Sequence, residues 1–85
     1  MTTSFDILQV STNLLKFVGG RDQFYDKVFD YVLKSGKTGQ LVGTMSSYEL
    51  QPDQNRALFS IELNTGETIE GTYDKAADKF SFSGL

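Results

Sequence analysis

The stretch Arg56-Ala57-Leu58-Phe59-Ser60-Ile61-Glu62-Leu63 decides the fold of this 85-residue chain. Its odd-numbered positions are all apolar, while the positions between them include Ser60 and Glu62. A period of two is typical of a β-strand with one buried face. Asn64-Thr65-Gly66 then supplies a hairpin loop whose glycine takes a positive φ. The alternation resumes downstream, so residues 56–85 are predicted to form a three-stranded antiparallel meander.

The second hairpin of this meander has a readable register. Folding it back places Tyr73 opposite Phe80 and Gly71 opposite Phe82, and an aromatic ring is expected to lie over the glycine. The segment Thr72-Tyr73-Asp74-Lys75-Ala76-Ala77-Asp78-Lys79-Phe80 resembles the C-terminal hairpin of the immunoglobulin-binding domains of streptococcal protein G. The helix that precedes the hairpin in that family is replaced here by strand residues, so no function is carried over.

Two helices are predicted before the sheet. In Ser4–Val18 the apolar residues recur at helical spacing, although a strand over Phe5–Val10 is the alternative prediction. Asp22–Ser35 carries a wide apolar stripe, begins with Asp22 as N-cap and is followed by Gly36 as the C′ residue. Gly19-Gly20-Arg21 is expected to join the two into a helical hairpin.

A further strand is predicted over Gln40–Gln51, ahead of a turn at Pro52. Gly43 and Ser46-Ser47 weaken it and suit an edge strand or a β-bulge. The fold class is therefore α+β, a single domain over 1–85 with an N-terminal helical hairpin packed on one face of a four-stranded antiparallel sheet, in the order ααββββ. The predicted core consists of Leu14, Phe17, Phe24, Val28, Val32, Phe59, Ile61, Ile69, Tyr73, Phe80 and Phe82.

The composition argues against several classes of function. The chain has no Cys and no His, which removes disulfides, thiolate sites and the usual acid–base group. No motif with catalytic or ligand spacing occurs, so we expect no enzyme activity, no metal and no cofactor. The N-terminus lacks a basic segment and a long apolar run, so neither a secretory signal nor a membrane span is expected, and the predicted location is cytoplasmic.

Charge is distributed unevenly along the chain. Residues 38–85 hold three basic against seven acidic side chains, a net −4, within a total of −3. An acidic sheet is a poor ligand for phosphate, so nucleic acid is not an expected partner. A basic protein is the better match.

These observations predict a small non-enzymatic protein-binding module, such as an inhibitor, immunity-type factor, adaptor or accessory subunit. The sequence is compatible with a monomer and with a homodimer formed through the strand Gln40–Gln51. The alternative is a small-ligand-binding α+β cup, with room left by Gly43, Ser46, Ser47 and Gly71. The candidate protein-binding residues are Tyr31, Tyr48, Leu58, Glu62 and Glu70.

Overall fold

A computed structural model of the protein describes residues 3–85. Within this range five strands and two α-helices form an α+β arrangement, with both helices between the first and second strands. In chain order they are β1 (Ser4–Leu8), α1 (Thr12–Phe17), α2 (Arg21–Lys34), β2 (Gln40–Gln51), β3 (Arg56–Leu63), β4 (Thr68–Asp74) and β5 (Lys79–Ser83), with a 3₁₀ turn (Pro52–Gln54) between β2 and β3.

The five strands form one mostly antiparallel sheet in the spatial order β1-β2-β3-β4-β5. The meander predicted over residues 56–85 is confirmed as β3, β4 and β5, each antiparallel to its neighbour. Gly66 has a φ of 93° in the first hairpin loop. Tyr73 pairs with Phe80 across β4 and β5, as the register predicted, and their ring centroids are 4.6 Å apart.

The N-terminal region differs from the predicted helical hairpin, because the first element of the described residues is a strand. β1 lies parallel to β2 and pairs with Gln40–Thr44. The alternative prediction of a strand over Phe5–Val10 is therefore nearer the structure than the helix over Ser4–Val18. The chain turns at Gln9, whose φ is 61°, and α1 begins only after Ser11, whose side chain accepts a hydrogen bond from the Asn13 backbone N–H at 3.2 Å.

The second predicted helix is confirmed as α2, with a small correction at its start. Gly20 is the N-cap residue and makes no side-chain cap, while Asp22 lies in the first turn. At the other end Gly36 follows the C-cap Ser35 with a φ of 81°, which glycine adopts without steric cost.

β2 is not an edge strand over its whole length, which corrects the prediction for Gln40–Gln51. Its first half lies between β1 and β3, and only Met45–Gln51 has a neighbour on one side alone. A β-bulge interrupts the pairing, since Met45 is opposite Ile61 but Ser47 is opposite Ser60. Because side chains alternate between the faces of a strand, the extra residue Ser46 reverses the face of every later residue of β2.

Both helices pack on one face of the sheet, and the core lies between them. Eight predicted core residues are buried, whereas Phe17, Phe80 and Phe82 are only half-buried at its margin. The buried apolar residues absent from the prediction are Ile7, Val18, Leu41, Met45, Ala57 and Leu63. The ring over Gly71 belongs to Phe59 of β3 rather than to Phe82. Among the described residues, neither helix combines the length and apolar character that crossing a membrane requires.

Candidate functional site

The sheet face opposite the helices, called the open face below, carries no covering element among residues 3–85. Paired residues on neighbouring strands share a face, so the register identifies its rows. One row joins Thr44, Glu62 and Thr68, a second joins Ser47, Ser60 and Glu70, and a third joins Glu49, Leu58 and Thr72. Apart from Leu58, these nine side chains are hydroxyl groups or carboxylates.

The centre of the open face contains a depression of about 320 Å³. It is lined by Ser47, Tyr48, Glu49, Leu58, Phe59, Ser60, Glu70, Gly71 and Thr72. The half-buried Leu58 is the apolar side chain that points into it from the open face. The Ser60 hydroxyl of β3 donates a hydrogen bond to the Glu70 carboxylate of β4 at 2.6 Å. Within β2, the Gln51 side-chain amide donates to the Glu49 carboxylate at 2.7 Å. These bonds orient two carboxylates beside an apolar centre.

The electrostatic character of the open face is acidic around this depression. Glu49, Glu62 and Glu70 are exposed, and within the described chain none of them has an ion-pair partner. The cations on this face are at one end, where Arg56 pairs with Asp74 in the strand register and Lys79 follows. Arg56 donates to the Gln51 side chain at 2.8 Å and is held there. On the open face the four carboxylates of Glu49, Glu62, Glu70 and Asp74 therefore outnumber the two cations, Arg56 and Lys79.

Three of the five candidate residues from the sequence meet on the open face, namely Leu58, Glu62 and Glu70. The two tyrosines do not join them. Tyr48 is 42% exposed, but it lies on the helix side, where its hydroxyl accepts a hydrogen bond from Ser11 at 3.0 Å. Tyr31 is on α2, and its ring stacks on Phe82 with centroids 5.2 Å apart.

A second concave surface, which sequence reasoning missed, lies between α2 and β5. This α2–β5 groove has a volume of about 360 Å³. It is lined by Lys27, Asp30, Tyr31, Lys34, Asp78, Lys79, Phe80 and Phe82. The available signal was the spacing of Lys27, Tyr31 and Lys34 at the border of the apolar stripe of α2, because residues three and four apart lie on the same helix surface.

The room expected for a small ligand on the helix side is filled by core side chains. A Cβ atom placed on Gly43 would lie 2.6 Å from the Ile61 Cγ2 atom, and one on Gly71 would enter the Phe59 ring. The glycines therefore accommodate protein groups. Ser46 and Ser47 are exposed at the bulge instead.

Two polar contacts outside these surfaces perturb titrating groups. A hydrogen bond from Lys37 to Glu67, at 2.7 Å, lowers the pKa of that carboxyl. Burial raises the pKa of Tyr73 to about 12, and its 2.6 Å hydrogen bond to Asp78 contributes further. The same bond, aided by the Gln23 amide, lowers the pKa of Asp78. The Lys37–Glu67 and Gln23–Asp78 bonds connect distant parts of the chain, whereas Tyr73 and Asp78 belong to the same hairpin.

Within residues 3–85 no three carboxylates come close enough together to bind a metal ion. Comparison with protein-family models, with curated protein sequences and with solved structures finds no match for this chain.

Proposed function

We propose that this chain is a small, non-enzymatic protein-binding module that recognises a basic partner through its open face. The single observation that carries the proposal is the uncovered face of the sheet, where a depression around Leu58 is bordered by the carboxylates of Glu49 and Glu70, which have no ion-pair partner among the described residues. Partners of this kind include the targets of inhibitors, immunity-type factors, adaptors and accessory subunits.

The depression supplies the apolar part of the recognition. Leu58 is the one large apolar side chain there on the open face, and its remaining exposed surface would be removed from water by an apolar side chain of the partner. Interfaces commonly place such a contact at the centre and polar groups around it. Leu58 takes the central role in this arrangement.

The carboxylates supply charge complementarity. Glu62 and Glu70 belong to neighbouring strands and lie on the same face as Leu58. Lys or Arg side chains of a partner would meet them at the rim, where charge mainly raises the association rate and excludes partners of the wrong sign. Binding through this face should therefore weaken as salt is added.

The proposal is tested by charge reversal on the open face, with a matched charge change elsewhere. The test variant is Glu62→Lys/Glu70→Lys. The control is Asp26→Lys/Asp53→Lys, which makes the same change in net charge at two exposed positions on α2 and on the 3₁₀ turn. Each immobilised protein is used to capture partners from its source cells, and captured proteins are quantified by mass spectrometry.

The expected result is a basic protein retained by the wild type and by the control but lost from the open-face variant. Leu58→Asp should abolish the same interaction in the purified pair. If all three baits retain the same proteins, or none above an empty resin, the proposed role of the open face is wrong.

A further inference from the structure

The α2–β5 groove borders a free edge of the sheet. β5 pairs with β4 and has no strand on its other side among the described residues. The Leu63 backbone N–H donates to the Glu67 carbonyl at 2.7 Å, so Leu63 directs its backbone groups towards β4. Backbone direction alternates along antiparallel strands, and following the register across the sheet directs the N–H and C=O groups of Phe80 and Phe82 to the free edge.

The floor of the groove is a stack of aromatic rings. Phe82 lies between Tyr31 and Phe80, with centroid distances of 5.2 and 5.8 Å. All three side chains are only half-buried, so one side of the stack faces water. The residues that offer unpaired backbone groups are thus the same residues that form the apolar floor.

The rim of the groove leaves positive charge unpaired. Lys34 is paired with Asp30 at 3.0 Å, and the Asp78 carboxylate accepts hydrogen bonds from Tyr73 and Gln23. Lys27 of α2 and Lys79 of β5 both line the groove, and neither has a carboxylate within 4.0 Å in the described part of the chain. Lys27 acts on the Asp78 carboxylate only through space, where its charge helps to lower the pKa of that group.

We infer that the α2–β5 groove binds an extended acidic segment of another protein, which adds to β5 as a sixth strand. The backbone of the segment pairs with Phe80 and Phe82. On the helix side its apolar side chains cover the aromatic floor and an acidic one reaches Lys27, while its carboxylates on the opposite side reach Lys79. Addition of a strand to a free sheet edge takes affinity from main-chain hydrogen bonds and specificity from alternate side chains. The groove lies at the β5 edge and shares with the open face only Lys79, which is not among the residues that line the depression at Leu58. The two sites can therefore be tested separately.

The probe is a fluorescein-labelled peptide, acetyl-Glu-Val-Glu-Val-Glu-Glu-Glu-amide, in which the second, fourth and sixth residues share one face of a strand and carry Val, Val and Glu. Its counterpart has Lys in place of every Glu, and a third peptide has Pro in place of the central Val. Fluorescence anisotropy is measured with the full chain at low salt. We expect the Glu peptide to bind, and the other two to bind at least about tenfold more weakly. The Lys peptide reverses the charge complementarity, and the Pro peptide interrupts strand pairing.

Two variants with equal net charge separate specific docking from general attraction. Lys27→Glu/Lys79→Glu should weaken the Glu peptide at least about tenfold, whereas Lys16→Glu/Lys75→Glu, on α1 and the last turn, should change binding less than about twofold. Both variants are checked for wild-type circular dichroism before use. Equal weakening by the two variants would overturn the inference.

Amide hydrogen exchange distinguishes strand pairing from general electrostatic attraction, because attraction alone does not protect backbone amides from exchange. The amides of Phe80 and Phe82 face the free edge and should gain protection when the Glu peptide is bound. Those of Ser81 and Ser83 already bond to β4 and should change little. Binding without added protection at Phe80 and Phe82 would rule out a sixth strand.

Discussion

Substituting Gly71 by alanine should destabilise the protein by about 3 kcal/mol, the upper end of the usual range for overpacking. The added Cβ would lie 3.0 Å from the Phe59 Cδ2 atom and closer still to Cε2 and Cζ. To restore an ordinary carbon–carbon contact, the Phe59 ring must move away from the new methyl group by roughly 1.3–1.8 Å. The Phe59 ring has little freedom to move, because the residue is 2% exposed and its ring centroid lies 5.2 Å from that of Phe24.

The effect is large relative to the stability of a domain of this size. At about 0.05–0.15 kcal/mol per residue, a chain of this length unfolds with roughly 4–13 kcal/mol. A loss of about 3 kcal/mol lowers the melting temperature by roughly 12–24 °C, at about 4–8 °C per kcal/mol. Thermal and urea denaturation followed by circular dichroism measure both quantities.

A double-mutant cycle with Phe59→Leu tests the stated cause. Leucine lacks the Cε2 and Cζ atoms that the new methyl group would strike, so Gly71→Ala should cost at least about 1 kcal/mol less in that background. If Gly71→Ala changes the free energy of unfolding by less than about 0.5 kcal/mol, or costs the same with leucine at position 59, the steric argument fails.

Two further predictions concern pH. Because the folded-state pKa of Tyr73 is raised to about 12 from 10, stability should be intact below pH 10 and fall between pH 10 and 12. In Tyr73→Phe this fall in stability should be reduced. In the wild type, absorbance near 295 nm should show one tyrosine that ionises only as the pH approaches 12. Ionisation of all four tyrosines together near pH 10 would contradict this prediction. The Lys37 hydrogen bond lowers the folded-state pKa of Glu67. The contribution of this ion pair to stability is therefore present above pH 4.5 and is lost as the pH falls through the folded-state pKa of Glu67. The urea midpoint of Lys37→Gln should therefore depend less on pH below 4.5 than that of the wild type, and equal slopes would exclude the ion pair as a cause.

The C-terminal half of the fold was predictable because its signals are local. Alternation in β3 and β4, together with a turn glycine at Gly66, specifies pairing between neighbouring strands without reference to the rest of the chain. β1 was harder to predict, because its five residues also fit the helical spacing that continues into α1. Its strand conformation depends on β2, a partner beyond both helices, and no local pattern identifies that partner.

The candidate site was predictable only where the period of two is uninterrupted. Leu58, Glu62 and Glu70 were assigned to one face from parity, and the structure places them there. The same reasoning fails for Tyr48, because the bulge at Ser46 shifts it to the helix side. Gly43 and Ser46-Ser47 indicated a bulge but not its exact position. That position determines which residues of β2 move to the other face of the sheet. The α2–β5 groove arises from contact between distant elements. The spacing of Lys27, Tyr31 and Lys34 indicates one surface of α2, but it does not identify β5 as the element beside that surface.

The parallel pairing of β1 with β2 also affects the order in which the protein can mature during synthesis. On the ribosome β1 emerges first, yet its hydrogen-bonding partner is translated only after both helices. Until Gln40–Thr44 leaves the exit tunnel, the backbone of β1 lacks the strand with which it pairs in the folded protein. The β3–β5 ribbon has no such delay, since each strand is translated immediately after the one it pairs with.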